Sequence, residues 1–172
     1  MTFIISQIIG VAAVALYFSS FQWKRRSTMV LAVFISNVFY VSQYVLLGAF
    51  SGAVLDVLST VSSFFAGKKN SPRLSFCAKV LYFASLFCIF AFGSILALMQ
   101  RDWVQLLPVI GALLQTGGLW FDNEQTIRKF GLAGAPFWLG YNFISQAYGA
   151  SLGSALMIVS GITALLRYQK KK

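Results

Sequence analysis

Seven apolar runs, each close to the length that crosses a lipid bilayer, leave this chain few ways to fold. They are Phe3–Phe21, Thr28–Leu47, Phe50–Ala66, Phe76–Met99, Val104–Phe121, Phe130–Ala147 and Ala150–Leu166. At a rise of about 1.5 Å per residue, about 20 residues cross a hydrocarbon core of about 30 Å. Backbone N–H and C=O groups find no water there, so runs of this length are restricted to α-helices. The expected fold is an all-α membrane protein of seven transmembrane helices with short connections. Core helices of a soluble protein would need an amphipathic layer around them, which a chain with 58% apolar and 10% charged residues does not supply. A signal peptide would carry its basic residues ahead of the apolar stretch, whereas Lys24, Arg25 and Arg26 follow the first run, which therefore reads as a retained helix.

A net charge of +10 would raise the question of nucleic acid in a soluble chain. The positions of the charges point elsewhere. With the N-terminus outside, Lys24, Arg25, Arg26, Lys68, Lys69, Arg73, Arg128, Lys129, Arg167, Lys170, Lys171 and Lys172 fall on the cytoplasmic side, and Arg101 alone falls outside. Lys79, in the first turn of the fourth helix, reaches the inner surface along its stem. The positive-inside rule then predicts an outer N-terminus and a cytoplasmic C-terminus. Anionic lipid headgroups are the expected partners of the basic loops, and no nucleic acid is expected. Cys77 and Cys88 both fall in the fourth helix, roughly 16 Å apart along its axis, beyond disulfide reach. They read as small apolar fillers.

The chain matches itself without a gap at an offset of 101 residues, pairing helices 1, 2 and 3 with helices 5, 6 and 7. Gly10 falls on Gly111, Leu31 on Leu132, Tyr40 on Tyr141, Gly48 and Ala49 on Gly149 and Ala150, Gly52 on Gly153, Leu55 on Leu156 and Ser59 on Ser160. The glycine cluster reads chiefly as a tight turn between the second and third helix of each unit, and secondarily as a small-residue packing motif. The expected organisation is a first three-helix repeat over 1–66, a linker helix over 76–99, and a second repeat with a basic tail over 104–172. Three helices per unit with one between make the repeats parallel, the arrangement of the SWEET sugar transporters. The 3+1+3 layout resembles the wider group of SWEET, PQ-loop and PnuC-type nicotinamide riboside transporters.

Leu106-Leu107-Pro108-Val109-Ile110-Gly111, then Trp138-x-x-x-Asn142-Phe143, then Gly149-x-x-x-Gly153 resemble the YgjV family of bacterial inner-membrane proteins. The resemblance implies an inner-membrane location and kinship with the SWEET-like fold, and it carries no substrate. SWEET-type repeats have a hinge proline in the first helix of each unit. Here Pro108 matches that position and its counterpart is Gln7, so only Pro108 is a hinge candidate, kinking its own helix.

With no histidine, imidazole metal sites, Ser-His triads and histidine proton relays are excluded. Of the acids Asp56, Asp102, Asp122 and Glu124, only Asp56 lies within a span, so an intramembrane carboxylate dyad cannot form in one chain. No enzyme, metal or cofactor is expected. Asp56 reads either as a pathway or proton group or as a residue near enough to the outer surface to meet water. Trp138 lies one helical turn before Asn142, an aromatic plate beside an amide, which suits a neutral polar ring but equally suits packing or an interfacial belt. Asn37, Gln115, Ser59 and Ser160 are further binding candidates among the polar residues of the spans, which either bridge helices or face a cavity. Asp122 and Glu124 beside Arg128 and Lys129 read as a surface charge mixture.

The expected function is alternating-access transport of a small polar solute, uniport or proton-linked, with Asn142, Trp138 and Asp56 as first candidates at the site and Pro108 as a hinge. The alternative is a receptor or assembly factor on the same scaffold. A homo-oligomer is compatible with either.

Overall fold

A computed structural model of the chain describes residues 2–20, 23, 25–71 and 75–169. Phe21, Lys24, Arg73 and the Lys170 to Lys172 tail lie outside the described residues. The described residues form seven α-helices and no strand: α1 (Thr2–Ser20), α2 (Arg26–Leu47), α3 (Phe50–Lys68), α4 (Ser75–Gln100), α5 (Leu106–Gly118), α6 (Glu124–Ile144) and α7 (Tyr148–Gln169), with a 3-10 turn at Trp103–Gln105 leading into α5. Each apolar run became one helix. α6 starts well ahead of its run because Asn123 accepts a hydrogen bond from the Gln125 backbone N–H at 2.9 Å and Glu124 sits in the positive first turn. Asp102 caps the 3-10 turn in the same way, accepting from the Val104 N–H at 3.0 Å.

By length and composition, α1 to α4 are able to cross a membrane, with mean hydropathy between 1.3 and 2.2 over the spans, while Tyr148–Thr163 of α7 is a shorter apolar stretch. α5 has 13 residues, about 20 Å of helix. α6 carries Glu124, Arg128 and Lys129 near its start.

The helices pack as a ring. α1 lies on α2, α2 on α3, α5 on α6 and α6 on α7, and two further seams, α1 with α7 and α3 with α5, close the six. α4 stays outside the ring against α3 and α5. Its buried residues Ala78, Tyr82, Ser85, Ile89, Gly93 and Ala97 recur every three or four positions and so form one stripe. Tyr82 donates its hydroxyl hydrogen to the Thr116 carbonyl at 2.7 Å, and the Ser62 and Ser85 hydroxyls bond to each other. The other faces present Phe76, Phe83, Phe87, Phe90 and Leu98 outward, as expected of a helix whose solvent is hydrocarbon. Cys77 and Cys88 are exposed on this helix, so they fill no gap in the core.

Two apolar clusters hold the ring. Tyr44, Leu55, Ile89, Val109, Trp138 and Tyr141 belong to one, and Met29, Val30, Tyr82, Leu119 and Ile127 to the other. They lie towards opposite ends of the helices.

The turn reading of the glycines holds for Gly48 alone. It terminates α2 in the left-handed region, φ 71°, where a side chain would be strained. After α6 the left-handed residue is Gln146, φ 58°, while Gly149 and Gly153 are helical residues of α7. A Cβ on Gly149 would stand 3.0 Å from the Gln7 carbonyl oxygen, and one on Gly153 would stand 2.9 Å from the Tyr40 hydroxyl. These two glycines serve close helix approach. Pro108 does not kink the interior of its helix. It is buried in the first turn of α5, directly after the 3-10 turn, where a missing N–H costs little. The proline inside a helix is Pro136 of α6.

Candidate functional site: a polar chamber inside the helix ring

Two adjoining cavities, of about 40 and 30 Å³, lie inside the ring, and Tyr17 of α1, Asn37 of α2, Asp56 of α3, Gln115 of α5 and Trp138 of α6 line both. Tyr40, Tyr44, Asn142 and Ser154 extend the wall of the first, and Ser59 and Thr116 that of the second. A water needs about 10–15 Å³ measured this way, so each cavity has room for two or three waters. Drug-sized ligands occupy sites of about 300–1,000 Å³; the chamber is far smaller.

Asp56 is 6% exposed and faces the chamber, so it is not the surface residue that was the other reading of its position. Among the described residues no lysine or arginine forms an ion pair with it. Ser59, one turn further along α3, is also buried, and its hydroxyl has no hydrogen-bond partner. Gln115 reaches across from α5, its amide N–H directed at the Gly131 carbonyl over a long 3.5 Å.

Trp138 and Asn142 act as wall and as brace at once. Trp138 is 6% exposed, which removes it from any interfacial belt, and it stacks on Tyr44 with ring centroids 6.2 Å apart and planes at 21°. Gly111 makes room for it: a Cβ there would sit 2.6 Å from the indole Cδ1. Asn142 accepts the Tyr44 hydroxyl hydrogen through Oδ1 and donates from Nδ2 to Ser154 Oγ at 3.3 Å, and Ser154 donates to the Ala150 carbonyl at 3.1 Å. This chain of bonds joins α2, α6 and α7. Ser160 is half-buried on α7 and lines neither cavity, so it stands apart from the other candidates.

The structure adds Tyr17, Tyr40, Tyr44 and Ser154 to the site. The signal that could have found the tyrosines is a phenol hydroxyl deep inside an apolar run, which demands a partner. Tyr40 had surfaced only through its match to Tyr141. That match has a structural counterpart. Tyr141 of α6 accepts a hydrogen bond from the Gly52 N–H of α3 at 3.0 Å, and Tyr40 of α2 lies against Gly153 of α7.

Polar contacts tie the helices together at both ends of the ring. At the end with the α2–α3 and α6–α7 turns, Gln7 of α1 accepts from the Gly149 N–H at 2.9 Å and donates to the Gln146 carbonyl at 3.4 Å. Gln43 is wholly buried there beside Gly10 and Gly149, and both ends of its amide lack a partner. At the other end Lys69, after α3, pairs with Asp122 at 2.7 Å, donates to the Trp120 carbonyl, and lies 5.4 Å from the centre of the Trp120 ring. Arg128 is only 8% exposed. Asp122 and Lys129 are exposed and Glu124 is half-buried, as a surface charge mixture would have them, and Arg128 alone of the four is buried.

Arg25, Lys68, Lys69, Arg128 and Lys129 all belong to the end that holds the α1–α2, α3–α4 and α5–α6 connections. Among the described residues no group of three or more cysteines or acids is placed to hold a metal ion. Apolar helices facing outward around a small polar interior, with basic residues gathered at one end, define a helical protein of the lipid bilayer. Residues 4–172 match the model of the Imp-YgjV family, described as a bacterial inner membrane protein, and the chain belongs to that family. No curated protein and no solved structure matches the chain.

Proposed function

We propose that this protein is a carrier that moves a small polar solute across the inner membrane by alternating access, through the chamber around Asp56. The observation that carries the proposal is a buried carboxyl, amides and hydroxyls enclosed by a ring of otherwise apolar helices. Polar groups at that depth are costly and by default belong to a pathway. In this reading all seven helices cross the bilayer, with the N-terminus outside and the basic end in the cytoplasm.

Two units, residues 1–66 and 104–172, rock about the chamber, with α4 as their linker. The two closing seams support this division, because each sets the first helix of one unit against the third helix of the other. The exchanged tyrosine–glycine contacts, Tyr141 with Gly52 and Tyr40 with Gly153, follow the same correspondence. In this reading the contacts at the two ends release in turn, and opening either end widens the chamber for a solute. The junction between the 3-10 turn and α5, at Pro108, is one flexing point, and Pro136 is another.

The test is solvent access. With Cys77 and Cys88 replaced by alanine, a Ser59→Cys variant is exposed to a membrane-impermeant thiol reagent from each side of sealed vesicles. Labelling from both sides is expected. A folded protein labelled from neither side, or from one side only under all conditions, removes alternating access. The small volume of the chamber favours a second reading, a receptor or assembly factor whose interior polar groups only fix the packing, and that reading predicts the unlabelled outcome.

A further inference from the structure

We propose that the chamber takes a cation, and specifically the ammonium head of a small organic amine, with the Asp56 carboxylate as its counter-ion. The inference deepens the carrier reading by naming its substrate class. A carboxyl in a low-dielectric interior is either neutralised by a proton or compensated by a positive group, and among the described residues no lysine or arginine lines either cavity; a cationic solute supplies that positive group. An anionic solute would meet only the repulsion of Asp56.

The remaining wall decides between kinds of cation. A metal ion such as sodium or calcium asks for a shell of oxygen ligands, whereas much of this wall is ring surface: Tyr17, Tyr40, Tyr44 and Trp138. Aromatic faces attract organic cations through their quadrupole. An ammonium group brings three N–H donors and no acceptor. The chamber answers with the Asp56 carboxylate, the amide oxygens of Asn37 and Gln115, and the Ser59 hydroxyl, which is 5% exposed and has no partner of its own. Ser59 lies one helical turn from Asp56 on α3, so the two present acceptors from the same wall. The adjoining cavities of about 40 and 30 Å³ suit a head of two or three heavy atoms each. A longer amine requires the chamber to widen on the side of its tail.

The experiment is a thermal-shift titration of the purified full chain in detergent with ethylammonium chloride, against ethanol as the neutral counterpart and potassium chloride for ionic strength. Ethylammonium is expected to raise the apparent melting temperature with concentration, as mass action requires, and the two controls are not. Asp56→Asn should abolish the shift, Ser59→Ala should weaken apparent affinity several-fold, and Cys88→Ala on the outer face of α4 should leave it unchanged. If Asp56→Asn does not fold, the comparison of ethylammonium with ethanol on the native protein, together with Ser59→Ala, carries the decision. The proposal is overturned by equal shifts from ethylammonium and ethanol, by a shift that survives Asp56→Asn, or by no shift from ethylammonium. Uptake into proteoliposomes separates this from the carrier reading. Binding without ethylammonium uptake upholds the cation site and removes the carrier, while uptake of neutral solutes with no amine binding does the reverse.

Discussion

At the scale of single residues, the side chain that organises the site is Tyr44. Its ring stacks between Tyr40 and Trp138, and its hydroxyl is the donor that Asn142 accepts from. Removing that hydroxyl leaves Asn142 Oδ1 buried with one bond fewer. A lost buried hydrogen bond costs about 1–3 kcal/mol in soluble proteins, but polar bonds between membrane helices average about 0.6 kcal/mol with a maximum of about 1.7. Tyr44→Phe is therefore expected to destabilise by about 1 kcal/mol in a detergent unfolding titration, and Ser160→Ala by less than about 0.5 kcal/mol. Equal effects of the two would mean that the Tyr44–Asn142–Ser154 chain does not brace the site. Asp56 was legible in the sequence, because a charge inside an apolar run stands out. Tyr44 was not, because an aromatic residue in such a run is ordinary until its hydroxyl is seen to have a partner.

At the scale of elements, the ring depends on how closely helices approach. The glycines of α3 and α7 set that distance. A Cβ on Gly52 would lie 2.9 Å from Tyr141 Cε1 and 3.0 Å from its hydroxyl, and one on Gly153 would press on both Val14 and the Tyr40 hydroxyl. At Gly117, near the end of α5, a Cβ would meet nothing within 4 Å. Overpacking typically costs about 1–3 kcal/mol, whereas Gly to Ala at an unstrained helical position gains about 0.4–1 kcal/mol by restricting the unfolded chain. Gly52→Ala and Gly153→Ala should each lower the melting temperature and Gly117→Ala should raise it or leave it unchanged. A rise for Gly153→Ala would show that α7 does not need its close seat on α1 and α2. The repeat pointed to these glycines correctly, but assigned the second pair to a turn. The sequence could not show that Gln146, with its carbonyl bonded to Gln7, takes the left-handed position instead.

At the scale of the whole molecule, the ring is held together at its two ends by different chemistry. At one end the contacts of Gln7, Gln43 and Gln146 are made by uncharged amides, with Arg101 and Asp102 of the α4–α5 connection on the same side. The opposite end has the Lys69–Asp122 pair across the α3–α5 seam, one partner nearly buried and the other 75% exposed. Because Asp122 is so exposed, solvent screens the pair, and Asp122→Asn should change stability by less than about 1 kcal/mol. Its expected effect is on access: the Ser59→Cys variant should label faster from the basic end, and more slowly or equally from the other. An unchanged rate from the basic end would remove the pair as part of the closure. The positive-inside pattern named the members of this basic end, whereas the partnership of Lys69 with Asp122 joins segments far apart in the chain and has no local signal.

The sequence by itself determined the helices, because in hydrocarbon each backbone must satisfy its own hydrogen bonds and an apolar run therefore states its own structure. It determined which connections carry the basic residues, the correspondence of Tyr40 with Tyr141 and Gly52 with Gly153, and the singular position of Asp56. Only the tertiary structure decided which face of each helix turns inward. Lipid tails are as apolar as a protein core, so a run such as α4 has no polar outer face to mark its orientation, and its packed stripe differs from its lipid-facing side only by small and occasional polar residues. That is why Ser59 and Ser160, matched in the repeat, part company: one looks into the chamber and the other lies outside it.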